Sequence, residues 1–256
     1  MINTDAKTLD PVEEAKRILR AAQDERTTLR LIGGLAIRFH CHGRHSMHLR
    51  AYHDIDLFGL EKESERIFSV FRKLGYSSND VYNAIYGRTR LQFIDHETSW
   101  EVDVFLDRFR MEHVLDFRAR LQLDAVTIPV TDLLLTKLLI VKLNAKDAKD
   151  VVALLEDHQI GYVDDQETLN LNRMAQASAR DWGLCKTLND NLETMINFAE
   201  IGEFTPLEKR DLTQKLTMIR VYVQAQRKTL RWKLRSLLGD KVAWYDDVEV
   251  GEGEAH

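Results

Sequence analysis

Apolar residues recur at helical spacing from the first well-patterned segment of the chain. Val12, Ala15, Ile18, Leu19 and Ala22 follow Asp10-Pro11, an acceptor at the cap and a proline in the first turn, and predict an amphipathic helix. Leu29 to Ile32 then predicts a short buried strand, stopped by Gly33-Gly34 and followed by a second apolar helix from Leu35 to about Cys41. Beyond a loop rich in His and Arg, Asp54-Ile55-Asp56-Leu57-Phe58 alternates acid with apolar residue, as in a strand showing two carboxylates on one face. Gly59 ends that strand. Ile67, Val70, Phe71 and Leu74 restore the helical period over Glu61 to Leu74, with Gly75 placed to end the helix.

Two β-rich runs, Val81 to Tyr86 and Thr89 to Ile94, predict a hairpin about Gly87-Arg88, and Trp100 to Leu106 predicts the next strand. A further short strand is expected over Val126 to Val130. From Thr131 the pattern is helical, with an apolar run Leu133 to Leu143, a charged stretch Lys142 to Asp150 and then Val151 to Leu155. Leu212, Leu216, Ile219, Val223, Leu230, Leu234 and Leu237 form one long stripe, broken at most once. The expectation is an α+β chain, with a mixed α/β half over 1–128 and a helical half over 129–256.

Composition narrows the class. At 256 residues the chain has enough length for one large or two small domains with a full core. Its two cysteines lie far apart, no apolar leader segment is evident, and no stretch reaches the ~18 apolar residues of a membrane span, so a reduced cytoplasmic protein is expected. The net charge of −5 argues against a general nucleic-acid binder. The charge is uneven, however. Eight basic residues against the single acid Asp240 fall between Leu212 and Lys241, and Tyr222 and Trp232 among them would suit an RNA backbone with an exposed base. A solvated helix face is the plainer reading of the same segment.

The candidate chemistry is a constellation: Gly33-Gly34 between strand and helix, Asp54 and Asp56 on a second strand, and Asp103 on a third. Glycines at a helix N-terminus let backbone amides approach an anion such as a triphosphate. Carboxylates at i and i+2 on a strand point the same way and favour capture of a hard cation, and magnesium prefers such oxygen ligands. A third acid would complete a two-metal clamp that activates a hydroxyl and stabilises leaving pyrophosphate. Glu101 and Asp107 share the face of Asp103 by alternation and are alternatives to it.

The stretch Leu31-Ile32-Gly33-Gly34-Leu35-Ala36-Ile37, followed by Arg50-Ala51-Tyr52-His53-Asp54-Ile55-Asp56-Leu57, resembles the signature of the DNA polymerase beta-like nucleotidyltransferase superfamily. It is most similar to the branch of AbiEii-type toxin nucleotidyltransferases, in which later Lys and Lys-Asp-x-x-Asp elements follow. Thr136-Lys137-Leu138 and Lys146-Asp147-Ala148-Lys149-Asp150 fill those places here, and the resemblance spans roughly Leu29 to Leu155. It implies a nucleotidyltransferase palm, two Mg2+ ions (or Mn2+) on Asp54, Asp56 and Asp103, and phosphate contacts from Gly33 and Gly34. It also implies that Arg50, Lys137 and Lys146 face the triphosphate or orient the acids. The expected reaction moves a nucleoside monophosphate from an NTP to a hydroxyl on RNA, a protein or a small molecule, in the setting of a toxin-antitoxin pair. The rival is a nucleotidyltransferase fold with reduced turnover, acting as an antitoxin or regulatory partner or as an RNA binder.

Simpler readings stand beside these. Lys137 among leucines equally fits a snorkelling lysine, and Lys146, Asp147 and Asp150 equally fit surface ion pairs along one helix. His40, His42, His45, His48 and His53 hold five of the nine histidines and, with Cys41, invite a zinc reading. Their spacing lacks a paired Cys-x-x-Cys or a helical His-x-x-x-His. His53, next to Asp54, is the member placed to touch the site.

Overall fold

The computed structural model describes residues 9–41 and 54–247. Helix takes 55% of the described residues and strand 15%, in a small mixed sheet flanked by helices and a helical C-terminal region. Two compact units divide it: Met1–Phe109 with Leu115–Leu133, and Arg110–Val114 with Leu134–His256. Among the described residues no helix is long and apolar enough to cross a membrane.

In the first unit α1 (Pro11–Asp24) starts where expected, with the Asp10 side chain accepting from the Val12 and Glu13 amides. Ala15, Ile18 and Ala22 form its buried stripe. Glu14 and Arg17, also buried on this helix, pair with each other, and the Tyr76 hydroxyl donates to Glu14 at 2.7 Å. The strand β1 (Arg30–Leu31) leads into α2 (Gly33–His40) and then, past the undescribed segment, β2 (Asp54–Gly59). A 3-10 turn over Glu61–Glu63 precedes α3 (Ser64–Lys73), which buries Ile67, Val70 and Phe71. Gly75, at φ 82°, ends that segment in the left-handed conformation that glycine adopts without strain.

The sheet is completed by β3 (Ser77–Ser78), β4 (Arg90–Ile94) and β5 (Glu101–Leu106), in the order β1-β2-β5-β4-β3. Only β2 and β5 run parallel; the other three pairings are antiparallel. Phe71 stacks on Phe93 with ring centroids 4.0 Å apart, joining α3 to the sheet.

Two expectations fail in this unit. The run over 81–86 is not a strand but α4 (Asp80–Tyr86). Asn79 caps it by accepting from the Tyr82 amide, and Asn83 reaches across to donate to the Gln92 carbonyl. Val81 and Ile85 are 75% and 67% exposed, so no sheet burial rewards their strand preference and the local cap decides. The strand over 126–130 reduces to a bridge between Leu31 and Thr127. Asp124 takes the Val126 and Thr127 amides into a turn, and Pro129 has no N–H to offer a ladder.

Short strands β6 (Arg108–Arg110) and β7 (Val114–Asp116) precede α5 (Val130–Leu138), along which the chain passes from the first unit to the second. The helix stops at Leu138, short of the apolar run's end. There the Asn191 side chain donates to the Leu138 and Ile140 carbonyls, satisfying the helix terminus. The second unit continues with α6 (Ala145–Asp157), strands β8 (Gln159–Gly161) and β9 (Thr168–Asn170), α7 (Leu171–Arg180), α8 (Trp182–Ile201), α9 (Pro206–Ala225) and α10 (Leu230–Ser236). The parallel β8–β9 pair, three residues each, is too short to leave a period in the sequence. The long stripe is half core: Leu212, Leu216, Ile219 and Val223 are fully buried, whereas Leu230, Leu234 and Leu237 are 73%, 58% and 80% exposed.

Candidate functional site

The parallel pairing of β2 with β5 sets Asp54 opposite Glu101 and Asp56 opposite Asp103. Side chains of partnered residues on adjacent strands share a face, so the four acids form a two-by-two block. Asp54 and Glu101, at the strand starts, are exposed; Asp56 and Asp103, one step in, are half-buried. Asp107 is out of the set. It lies past the end of β5, at φ 60°, and its carboxylate accepts from the Glu61 amide.

Gly33 opens α2 at φ 72°, and a Cβ placed there would lie 2.5 Å from Asp56 Oδ2. Both the backbone conformation and the contact therefore require glycine. Ile32, at the cap position, supplies no side-chain acceptor, so the first turn of α2 presents its positive end beside the Asp56 carboxylate. Gly34 follows within the same turn of the helix.

Asp103 is engaged from the other side. Arg90 on β4 donates from Nε to one of its oxygens at 3.0 Å and from Nη2 to the other at 2.7 Å, a bidentate clamp. The Arg90 guanidinium also lies over the Phe105 ring, 4.6 Å from the centroid. Burial works against the Arg90 charge, but the hydrogen bonds and charge of Asp103 outweigh it and hold the guanidinium pKa above its ordinary value. Nearby, burial pushes the Tyr82 phenol up. Gln92, the strand partner of Asp103, bonds to Asn79 through its side chain.

The donor set tests the divalent-ion expectation. Asp54 and Asp56 offer oxygen ligands of the kind magnesium takes, at the i, i+2 spacing of one strand face. Asp103 already accepts one hydrogen bond on each oxygen from Arg90, so its charge is partly neutralised, though each oxygen keeps a lone pair. Among the described residues no three His, Cys, Asp or Glu side chains are gathered closely enough to hold a metal ion. The donor chemistry thus fits at the β2 pair, and at Asp103 a metal would share the carboxylate with the Arg90 guanidinium.

Lys137 belongs to the second unit and has its own partners. Its ammonium lies 2.9 Å from Asp147 and 3.0 Å from Asp150, with all three side chains nearly buried. Burial opposes its charge, but Asp150 and Asp147 outweigh that and raise its pKa. The surface pairing of Lys146 with these acids does not form: Asp147 and Asp150 face inward to Lys137, and Lys146 is exposed. Arg50, His53 and the histidines at 42, 45 and 48 lie outside the described residues. His40 is described, and its Nε2 bonds Thr127 Oγ1 at 2.6 Å.

Arg90 is the site residue that periodicity and motif spacing miss. Its signal in the sequence is a lone arginine opening a strand otherwise apolar on alternate positions, which becomes informative only once β4 is known to lie beside β5. No protein-family model matches the chain and no curated protein matches it, so the functional reading rests on the residues and their geometry.

Proposed function

We propose that this protein is a nucleotidyltransferase whose site is built on Asp54, Asp56 and Asp103 beside the Gly33 turn. The observation that carries the reading is the level pairing of Asp56 and Asp103 on adjacent parallel strands, with Gly33 forced to φ 72° against the Asp56 carboxylate. A glycine turn at a helix N-terminus and clustered acids are the two elements needed to hold a cation-bound polyphosphate. The resemblance to the DNA polymerase beta-like superfamily, in its AbiEii-like branch, points the same way.

In the proposed reaction an acceptor hydroxyl attacks the α-phosphorus of an NTP. The new P–O ester bond forms as the bond to pyrophosphate breaks, and the hydroxyl proton passes to a carboxylate. Divalent ions, when bound, would neutralise the triphosphate and lower the pKa of the attacking hydroxyl. Asp54 and Asp56 are the residues that would hold them, and the first turn of α2 would face the phosphates. For Asp103 to join, its carboxylate would either be shared with Arg90 or be released by it.

The Arg90–Asp103 clamp favours a second reading: a nucleotide-binding module with reduced turnover, acting as an antitoxin or regulatory partner. The deciding experiment incubates the purified chain with each α-labelled NTP, Mg2+ or Mn2+, and total RNA and protein. Label should move to a macromolecular or small acceptor and the transfer should vanish in Asp54→Ala and Asp56→Ala. Calorimetric NTP binding with no labelled product across the acceptor screen selects the second reading, and transfer that survives both substitutions rejects these site roles.

A further inference from the structure

The second unit contains a cleft of about 330 Å3 that none of the proposed transfer chemistry uses. Its walls come from the C-terminal end of α7, the first turn of α8, one side of α10 and the segment after it. Trp182, Trp232, Trp244 and Tyr245 supply aromatic surface, and the cations Arg180, Arg231 and Arg235 stand against the acids Glu112, Asp181 and Asp246. The volume matches a ligand of nucleotide size rather than a helix or a duplex.

The walls are built in a fixed arrangement. A Cβ on Gly183 would lie 2.2 Å from the Trp244 carbonyl oxygen, so the segment after α10 packs directly on the start of α8. The Trp244 indole donates to Thr187 Oγ1 at 3.2 Å, and His113 bonds the same hydroxyl at 2.9 Å. Arg235 is committed to this framework: it donates to the Gly239, Val242 and Ala243 carbonyls and lies over the Trp182 ring at 4.6 Å. Arg180 and Arg231 differ. Both are exposed at the cleft, and neither side chain has a hydrogen-bond or ion-pair partner among the described residues. The side chains of Arg227, Lys233 and Lys241, close by in sequence, are also exposed and without such partners among the described residues.

We infer that this cleft holds one nucleotide unit of a single-stranded RNA. Aromatic side chains give a base a surface to stack on, and guanidiniums without internal partners recognise phosphate. The carboxylates of Glu112 and Asp246 at the cleft accept hydrogen bonds from exocyclic amino groups or ribose hydroxyls. The exposed cations near the cleft in sequence would meet further phosphates of a strand too long for the cleft itself. This inference is independent of the transfer reaction, because it needs neither metal nor triphosphate.

The test uses the full chain in EDTA without NTP, so that its outcome is separate from that of the transfer assay. Fluorescence anisotropy follows a labelled decamer of single-stranded RNA, a strand of the same length lacking bases, each nucleoside monophosphate, inorganic phosphate and polyglutamate as competitors. RNA should bind, and the base-free strand should bind about tenfold more weakly, as expected for a stacked base worth ~1–3 kcal/mol. The double variant Arg180→Ala/Arg231→Ala, at exposed positions, should weaken RNA binding and lower the salt slope by about 1.4, at ~0.7 per phosphate on a single strand. Displacement of the RNA by a monophosphate, but not by inorganic phosphate alone, supports the cleft as the place where base and phosphate are held together. No RNA binding, equal binding of the base-free strand, equal competition by polyglutamate, or affinity unaffected by the double variant would overturn the inference.

Discussion

Arg90 and Asp103, on neighbouring antiparallel strands, form a two-bonded ion pair at 3.0 and 2.7 Å on the same sheet face as Asp54 and Asp56. The pair lowers the negative charge of the acid block from the neighbouring strand β4, with the Arg90 side chain 33% exposed and that of Asp103 14% exposed. An incoming cation therefore competes with a resident one.

That competition is measurable. Arg90→Ala removes the resident cation and should tighten Mn2+ binding, read by electron paramagnetic resonance, by about tenfold or more. Partial exposure moderates the stability cost, so a double-mutant cycle with Asp103→Ala should give a coupling of about 1–3 kcal/mol. Unchanged Mn2+ affinity would show that Asp103 is not part of any metal site.

Gly33→Ala should destabilise the first unit by about 1–3 kcal/mol in urea unfolding, since it combines a positive φ with a collision at Asp56. Adding Asp56→Ala removes the collision and leaves the backbone strain. The double variant should recover part of the loss, and additivity of the two costs would show that the contact carries no energy.

Lys137→Met leaves Asp147 and Asp150, both nearly buried, without their shared counter-charge. The expected loss is about 3–5 kcal/mol, and adding Asp147→Asn and Asp150→Asn should restore most of it. A loss of nucleotide transfer without any change in stability would instead assign Lys137 to the substrate.

Burial pushes the imidazoles of His113 and His158 below the ordinary histidine value. Unfolded, each takes up a proton near pH ~6.5, where the folded side chain refuses it, so protonation favours unfolding. Stability should be full above that pH and decline as the pH falls from about 6.5 toward the lowered folded values. The midpoint of thermal unfolding should drop over this window, and His158→Gln should flatten the decline. A midpoint independent of pH there would contradict the burial of both rings in neutral form.

The residues at 81–86 and 230–237 show where periodicity misleads. Val81, Ile85 and Tyr86 favour strands, but strand preference expresses packing on a half-buried surface, and here Asn79 supplies a helix cap before any such surface exists. Leu230, Leu234 and Leu237 keep the spacing of a buried stripe yet stay exposed, because period records which residues share a face and not whether anything covers it.

Local information in the chain was enough for the cap at Asp10, the turn at Gly33, the acid-bearing strand from Asp54, the helix expected over 61–74 and found over 64–73 with its Gly75 stop, and the helical character beyond residue 130. Each depends on neighbours within a few positions. Tertiary structure alone decided that β5 lies parallel to β2, which levels Asp103 with Asp56, and that β4 flanks β5, which delivers Arg90 to Asp103. It also turned Asp147 and Asp150 inward to Lys137 and gathered Trp182, Trp232, Trp244 and the arginines about one cleft. Such arrangements join residues far apart along the chain, so the favourable energy that selects them exists only once the elements have packed.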